Sequence, residues 1–286
     1  MPLRKHQKYN PPRAVLITGA SSGIGAALAV YYAGEGVDLY LSGRHEERLA
    51  AVKDKCESKG AHVHTACLDV TDEKRMAIWV TEADQKTPLD LVIANAGISG
   101  GSGGGGDGLQ PQSPQQGQEK SPSPSLPLCE PVAQARTIYN VNVQGVFNTV
   151  EPVLDRMLQR QSGQIAIISS LASFSGWGGA PGYSSSKGAV RLYGEALRVI
   201  AKARNVRVNV VCPGFIKTPL TDQNPFPMPF LMSPEDSAVR IARGLAANKG
   251  RIVFPWQMYA LCGFVGLLPY WLTARLMRRM PDKPSL

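Results

Sequence analysis

A chain of 286 residues, 43% hydrophobic and 19% charged, is long enough to bury a full core, which excludes a wholly disordered chain, a collagen-like repeat and a disulfide-stapled miniprotein. Its 31 Lys and Arg exceed its 22 Asp and Glu by nine, but seven of those nine charges sit at the ends: Arg4, Lys5, Lys8 and Arg13 on one side, and Arg275, Arg278, Arg279 and Lys283 against Asp282 on the other. No basic helix with interleaved aromatics lies between them, so a nucleic-acid partner is not expected.

Residues 1–12 form a basic, polar extension with no apolar run behind it, so no secretory leader is expected. Residues 13–19 are a short apolar run ending in Gly19 and read as a buried strand. After Ser21, Ser22 and Gly23 a helix follows over 24–33, with Ala and Leu at helical spacing. The next strand covers 37–42, a charged amphipathic helix 46–59, a strand 63–68, a helix 72–87 and a strand 89–95. Strands alternating with helices predict an α/β fold, a doubly wound parallel sheet of the Rossmann type with helices on both faces. Residues 99–128 interrupt the rhythm with eight Gly, five Pro and almost no large apolar side chains. Such a stretch cannot bury enough surface to offset its ordering entropy and is expected to be a disordered surface insert, a lid over the site being the functional alternative. The alternation then resumes with a helix over 131–160, a strand over 164–169, a helix over 183–203, a strand over 206–212 and a last strand over 252–254. Residues 13–255 are therefore expected to make one domain, followed by an apolar and basic tail over 256–286.

The first strand runs into Thr18-Gly19-Ala20-Ser21-Ser22-Gly23-Ile24-Gly25. Glycines at a strand-to-helix turn permit positive φ and let backbone N–H groups approach a pyrophosphate at the helix N-terminus. Gly19-Ala20-Ser21-Ser22-Gly23 also matches a hydrolase nucleophile elbow, but that chemistry needs a later histidine and the last one here is His64. Downstream, Tyr183 and Lys187 are four residues apart, hence on one helix face. A cation beside a phenol lowers its pKa from about 10 toward neutrality, which makes it a usable proton donor and acceptor. Ser184 and Lys187 also mimic the S-x-x-K of penicillin-binding enzymes, whose companion motifs are absent.

Taken in order, residues 18–25, Asn95-Ala96-Gly97 after the fourth strand, Asn142, Ser170 at a strand end, Tyr183-x-x-x-Lys187 and Pro213-Gly214 resemble the short-chain dehydrogenase/reductase family over roughly residues 13–255, less the insert. The resemblance implies a catalytic set. Tyr183 is the general acid/base, and Lys187 lowers its pKa and holds the nicotinamide ribose. Ser170 bonds the substrate oxygen, and Asn142 holds a proton-relay water. It also implies cofactor contacts from Gly19, Ser21, Ser22, Gly23, Ile24 and Gly25, from Asp69 and Val70 at the adenine, and from Asn95, Ala96 and Gly97 along the cofactor. Pro213, Gly214, Ile216 and Thr218 would flank the nicotinamide carboxamide, and no metal is implied. Ala94 departs from the family pattern, where a second Asn is common, and the insert lengthens the separation of Gly97 from Asn142. Neither removes a catalytic group. Family members usually pair through two long helices, here 131–160 and 183–203, which implies a homodimer or homotetramer.

Cofactor choice follows from charge. An NAD site places a carboxylate at the end of the second strand to accept from the ribose hydroxyls. Here Gly43 occupies that place and Arg44 follows it, a side chain able to hold a 2′-phosphate and stack on adenine, so NADP(H) is expected over NAD(H). Cellular NADPH favours reduction. In the loop 218–233, Phe226, Met228, Phe230, Leu231 and Met232 form an apolar lining that points to a lipophilic ketone or aldehyde. Residues 252–274 carry no charge and precede Arg275, Arg278 and Arg279, a pattern that suits an interfacial anchor on an anionic leaflet. Packing over the substrate mouth or a partner subunit is the second reading and a true span the third. Five cysteines without a C-x-x-C pair fit a reducing compartment, the cytoplasm or the cytosolic face of a membrane. The competing function is a cofactor-binding scaffold or redox sensor without turnover, against which stands the complete set of Asn142, Ser170, Tyr183 and Lys187.

Overall fold

The computed structural model describes residues 10–100, 130–222, 224 and 226–277. Of the insert expected over 99–128, Ser99 and Gly100 are described and are buried rather than disordered, because they continue the segment after the fourth strand into the core, and the rest of it falls outside the described residues, as do Arg278 and Arg279. Strands and helices alternate as β1 (Ala14–Thr18), α1 (Gly23–Tyr32), β2 (Asp38–Gly43), α2 (Glu46–Glu57), β3 (His62–Cys67), α3 (Glu73–Lys86) and β4 (Leu91–Ala94). Then come α4 (Val132–Tyr139), a π-turn (Asn140–Gln144), α5 (Gly145–Arg160), β5 (Gln164–Ile168), a 3-10 turn (Leu171–Phe174), α6 (Pro181–Lys202), β6 (Arg207–Pro213), α7 (Pro234–Ala246), β7 (Arg251–Phe254), α8 (Trp256–Leu267) and α9 (Tyr270–Met277).

The seven strands pair in parallel in the order β3-β2-β1-β4-β5-β6-β7. Both faces of the central strands are buried, which is why those strands read as unbroken apolar runs. Alternate side chains feed two cores. Leu16, Val92, Ile165 and Ile167 meet α3, α5 and α6 on one face, while Val15, Ile17, Ile93 and Ala166 meet α1, α2 and α7 on the other. This is the doubly wound sheet that the alternation predicts.

Two elements differ from the sequence expectation. The helix expected over 131–160 is interrupted by the π-turn at Asn140–Gln144. One extra residue in a turn leaves the apolar spacing on either side intact, so periodicity does not reveal it, and such turns occur frequently at functional sites. The helix α7 was not anticipated, although its start is marked. Ser233 at the N-cap accepts from the Asp236 N–H at 3.0 Å, Pro234 follows, and Glu235 and Asp236 occupy the first turn.

One buried ion cluster fixes α5, and with it the π-turn, against α3. Asp84, 2% exposed, accepts from Arg156, from Arg160 and from the Leu89 N–H. Burial alone raises the carboxyl pKa, but these three donors outweigh it and hold the group below its usual range. Asp84→Asn is expected to cost about 3 kcal/mol in chemical denaturation at pH 7, because both arginines lose the buried carboxylate on which they converge. A folded pKa below the unfolded one means that this contribution is fully present above the unfolded pKa near 3.8 and disappears as pH falls through the folded value. The gap between wild type and variant should therefore stay constant from neutrality down to that range and close only below it.

Candidate active site

Strand order reverses between β1 and β4, where one chain direction builds outward to β2 and the other to β5. Crevices at such switch points, outside the carboxyl ends of the strands, are where doubly wound sheets bind ligands. A cleft of about 760 Å³ opens at this point.

Its floor is a turn held by Thr18. The Thr18 Oγ1 accepts from the N–H groups of Asn95 (3.1 Å) and Ala96 (3.2 Å), and Asn95 Nδ2 donates back to the carbonyls of Thr18 (2.9 Å) and Gly19 (3.2 Å). Gly19 has φ +65°, and a Cβ there would lie 2.8 Å from the Ala96 Cα. A Cβ on Gly25 would lie 2.3 Å from the Gly19 carbonyl oxygen, so this glycine seats α1 against the turn. Gly19, Ser21, Ser22, Gly23 and Ile24 line the cleft, whereas Gly25 lies behind it. The first turn of α1 carries no acid, and Ser22 makes no side-chain cap bond, so helix N–H groups remain for an anion. A pyrophosphate fits this cradle by charge and by the space that missing side chains leave.

At the far end of the cleft lie Arg44, His45 and Arg48 beside Asp69 and Val70. No carboxylate stands at the end of β2. A Cβ on Gly43 would meet the Ser21 side chain at 3.1 Å. The Asp69 carboxylate accepts from the N–H and hydroxyl of Thr71 and is held in that turn. Arg48 escaped the sequence reading, although it follows Arg44 by four residues.

Ser170, Tyr183 and Lys187 line the middle of the same cleft. Ser170 ends β5 as the cap of the 3-10 turn, its Oγ accepting from the Ala172 N–H at 3.1 Å and hydrogen-bonded to Tyr183. Lys187 is buried, and its Nζ donates to the Ile168 carbonyl at 3.0 Å, while Ser169 Oγ donates to the Lys187 carbonyl at 2.8 Å. The end of β5 is thus stitched to α6 at the residues that carry the polar groups. Burial lowers the Lys187 pKa from 10.5 to about 8. The expectation that Lys187 draws Tyr183 toward neutrality is not met in the protein alone. Burial raises the Tyr183 pKa, and only the Ser170 hydrogen bond acts in the opposite sense. The ammonium is turned to the Ile168 carbonyl instead.

Asn142 lies in the π-turn behind the cleft wall. Its Oδ1 accepts from the Ile98 N–H (2.8 Å), and its Nδ2 donates to the Ile98 carbonyl (2.9 Å) and to Ser186 Oγ (3.0 Å). Its side chain therefore braces the segment after β4 against α6. A Cβ on Gly97 would meet Lys187 Nζ at 3.0 Å and Asn142 Oδ1 at 3.1 Å, so a side chain there would push on both polar groups. Asn95, Ala96 and Gly97 line the cleft, as do Pro213, Gly214, Ile216 and Thr218 beyond β6.

The loop after β6 is pinned at its base, where the Met232 carbonyl accepts from the Lys217 N–H (2.9 Å) and the Met232 N–H donates to the Phe215 carbonyl (3.0 Å). Of the apolar residues expected to line the site, Phe226 and Phe230 do so. The Met232 side chain packs into the core beneath α1 and α7, the Met228 sulfur accepts from Asn224 Nδ2, and Leu231 is exposed. The other wall is α8, which contributes Gln257, Met258, Leu261, Cys262 and Val265, as the second reading of the tail, packing over the substrate mouth, expects. Glu130 also escaped the sequence reading. α6 has Ala180 at its N-cap and no acid in its first turn, and Glu130, 5% exposed, accepts from the Gly182 N–H one residue before Tyr183.

A sequence profile of the short chain dehydrogenase family matches residues 13–226. An uncharacterized oxidoreductase of Myxococcus xanthus is 34% identical over 269 residues, covering 94% of this chain and 97% of that protein. Among solved structures, a short-chain dehydrogenase from Sphingobium yanoikuyae in complex with NADPH superposes with a TM-score of 0.70 at 22% identity, covering 96% of this chain and 98% of its own. One from Mycobacterium paratuberculosis bound to NAD gives 0.65 at 24% identity over 86% of this chain and 96% of its own. At these identities the two structures speak to the fold.

Two measurements test this geometry. Cofactor-free Lys187→Met should be more stable than wild type at neutral pH by an amount on the order of 3 kcal/mol, the cost of holding a buried ammonium. A lysine with a lowered folded pKa loses its proton first in the folded state, so wild-type stability rises from pH 8 toward 10.5 and the margin closes across that window. A margin that does not change with pH contradicts the buried charge. Glu130→Ala should cost about 1 kcal/mol in thermal unfolding, and Glu130→Gln less, because the amide oxygen can still accept from Gly182.

Proposed function

The chain belongs to the short-chain dehydrogenase/reductase family of NAD(P)-dependent oxidoreductases, and from that premise we propose that it reduces a lipophilic ketone or aldehyde with NADPH. The observation that carries the reading is that Ser170, Tyr183 and Lys187 line one cleft with the glycine cradle on one side and apolar side chains on the other.

A nicotinamide cofactor, when bound, supplies the hydride. Ser170 Oγ holds the substrate oxygen beside the Tyr183 hydroxyl. As the carbonyl π bond opens onto oxygen and the carbon takes the hydride, Tyr183 gives its proton to that oxygen. The carbonyl would leave as the alcohol, two electrons richer by the hydride, and solvent would restore the Tyr183 proton. A raised pKa keeps Tyr183 protonated near neutrality, which suits it as the acid of a reduction. Lys187 spends one Nζ proton on Ile168 and has two left for ribose hydroxyls. Asn142 holds the segment that lets Gly97 clear Lys187 and keeps a second Oδ1 lone pair for a relay water.

Arg44 and Arg48 support NADP(H), since both cations line the cleft beside the end of β2, where Gly43 stands in place of a ribose-binding carboxylate. Residues 13–255 serve as the cofactor-binding unit and 256–286 as a tail. Exposed Leu192, Val199 and Ile200 on α6 support pairing with a second copy. Among the described residues no helix is long and apolar enough to cross a membrane. The exposed Trp256, Phe264, Leu267 and Trp271 of the tail, with Arg275 after them, support peripheral contact with an anionic surface from the cytoplasmic side. Free Cys56, Cys67, Cys212 and Cys262 agree with that compartment.

NADPH oxidation with a panel of lipophilic ketones and aldehydes tests the reading. Tyr183→Phe should lose about 10²–10⁴-fold in kcat while still binding NADPH. Arg44→Ala should weaken NADPH by about tenfold or more and leave NADH nearly unchanged. Full turnover by Tyr183→Phe would sink the mechanism.

A further inference from the structure

The wall that α8 builds has a second side. Met258, Leu261, Cys262 and Val265 follow one another at i, i+3, i+4 and i+7 and face the cleft. Tyr259 stacks edge-on against Phe174 at 5.2 Å and fastens the helix to the body. Apart from Gln257 the helix is apolar or glycine all round, yet Trp256, Phe264 and Leu267 are exposed on its outer side. A helix with no polar face is ordinarily covered on every side.

Two residues belong to both sides. Leu261 lines the cleft and is 62% exposed, and Phe230, across from it in the loop after β6, lines the cleft and is 54% exposed. Phe230 also has φ +58°, a backbone region that costs a bulky non-glycine residue about 1–3 kcal/mol and that clusters at functional sites. Leu231 beside it is exposed as well. The mouth of the cleft is therefore rimmed by apolar side chains continuous with the uncovered side of α8. Charge agrees with a lipid neighbour, because the chain has no acid between Asp236 and Asp282, while Arg275, Arg278 and Arg279 follow the apolar stretch.

Resting on the reductase reading above, we propose that this mouth opens onto an anionic lipid bilayer and that the substrate is a carbonyl compound with a long hydrocarbon chain dissolved in it. The carbonyl reaches Ser170 and Tyr183. The chain lies along Met258, Leu261 and Val265 on one side and the Trp177–Phe226 pair, 5.7 Å apart edge to face, on the other, and its end remains in the lipid.

The test uses the full chain, NADPH, a series of straight-chain aldehydes from butanal to hexadecanal, and phosphatidylcholine vesicles with and without phosphatidylserine. Values of kcat/KM are expected to climb by roughly fourfold per buried methylene until the chain reaches the mouth. The protein should sediment with phosphatidylserine vesicles. Phe264→Glu combined with Leu267→Glu, outside the cleft, should abolish sedimentation and lower turnover of vesicle-held hexadecanal by about tenfold or more. Butanal turnover should stay within about twofold, which also reports that the variant folds. A flat series, or vesicle-held turnover that the double variant leaves unchanged, overturns the proposal while butanal reduction keeps the reductase reading intact. A variant that changes oligomeric state, with no vesicle binding by either protein, overturns it in favour of a second copy on this face. Failure to reduce any aldehyde despite NADPH binding removes the reductase reading itself.

Discussion

A lysine ammonium buried at the end of β5 is the constraint around which the site is arranged. Among the described residues no carboxylate pairs with Lys187; its bonded partner is the Ile168 carbonyl, and its own carbonyl is tied to Ser169. Burial of the cation lowers its pKa to about 8 and costs stability at neutral pH. That cost is tolerated because two apolar cores on either side of the sheet stabilise the rest of the molecule. The surroundings then have little freedom. Gly97 runs closely past the ammonium, Asn142 braces Ile98 to keep that segment in place, and α6 starts where Glu130 caps it.

The two ends of the cleft obey different physics. The cofactor half is made of backbone: the Thr18 hub, the glycine turn and the N-terminus of α1, all fixed by β1 and β4. The substrate half is made of side chains from the loop after β6 and from α8, neither of which is part of the sheet. Backbone geometry depends on fold, and side-chain lining depends on this particular chain. Cofactor class therefore follows from the architecture, whereas substrate class has to be argued from Phe226, Phe230, Met258 and Leu261.

The same division decides what was legible in the sequence. Strands buried on both faces show as apolar runs, and the glycine turn and the Tyr183/Lys187 pair are local patterns at strand ends or within one helix turn, so spacing alone locates them. The π-turn was not legible, because it shifts no apolar residue. Met232 was expected in the lining and packs in the core, since composition marks a loop as apolar without saying which side chains turn inward. The direction of the Tyr183 shift is not legible for a related reason. Spacing put a cation on the same helix face, but burial and the direction of the Lys187 Nζ are tertiary facts.

The tail shows where local and tertiary constraints meet. Residues 256–267 are too few to span a bilayer as a helix, at about 1.5 Å per residue, and too apolar to stand alone in water. Packing on the body covers only one stripe of such a helix, and the stripe that is covered here is the one that closes the cleft. Moving the polar residues of an ordinary amphipathic helix to the outer side would satisfy solvent and leave the cleft unchanged. Trp256, Phe264 and Leu267 occupy that side instead, so the exposed apolar surface serves no purpose in closing the site and needs a separate physical reason. The lipid neighbour proposed above would supply one, and that side of the helix adjoins the same mouth through which an apolar substrate would have to enter.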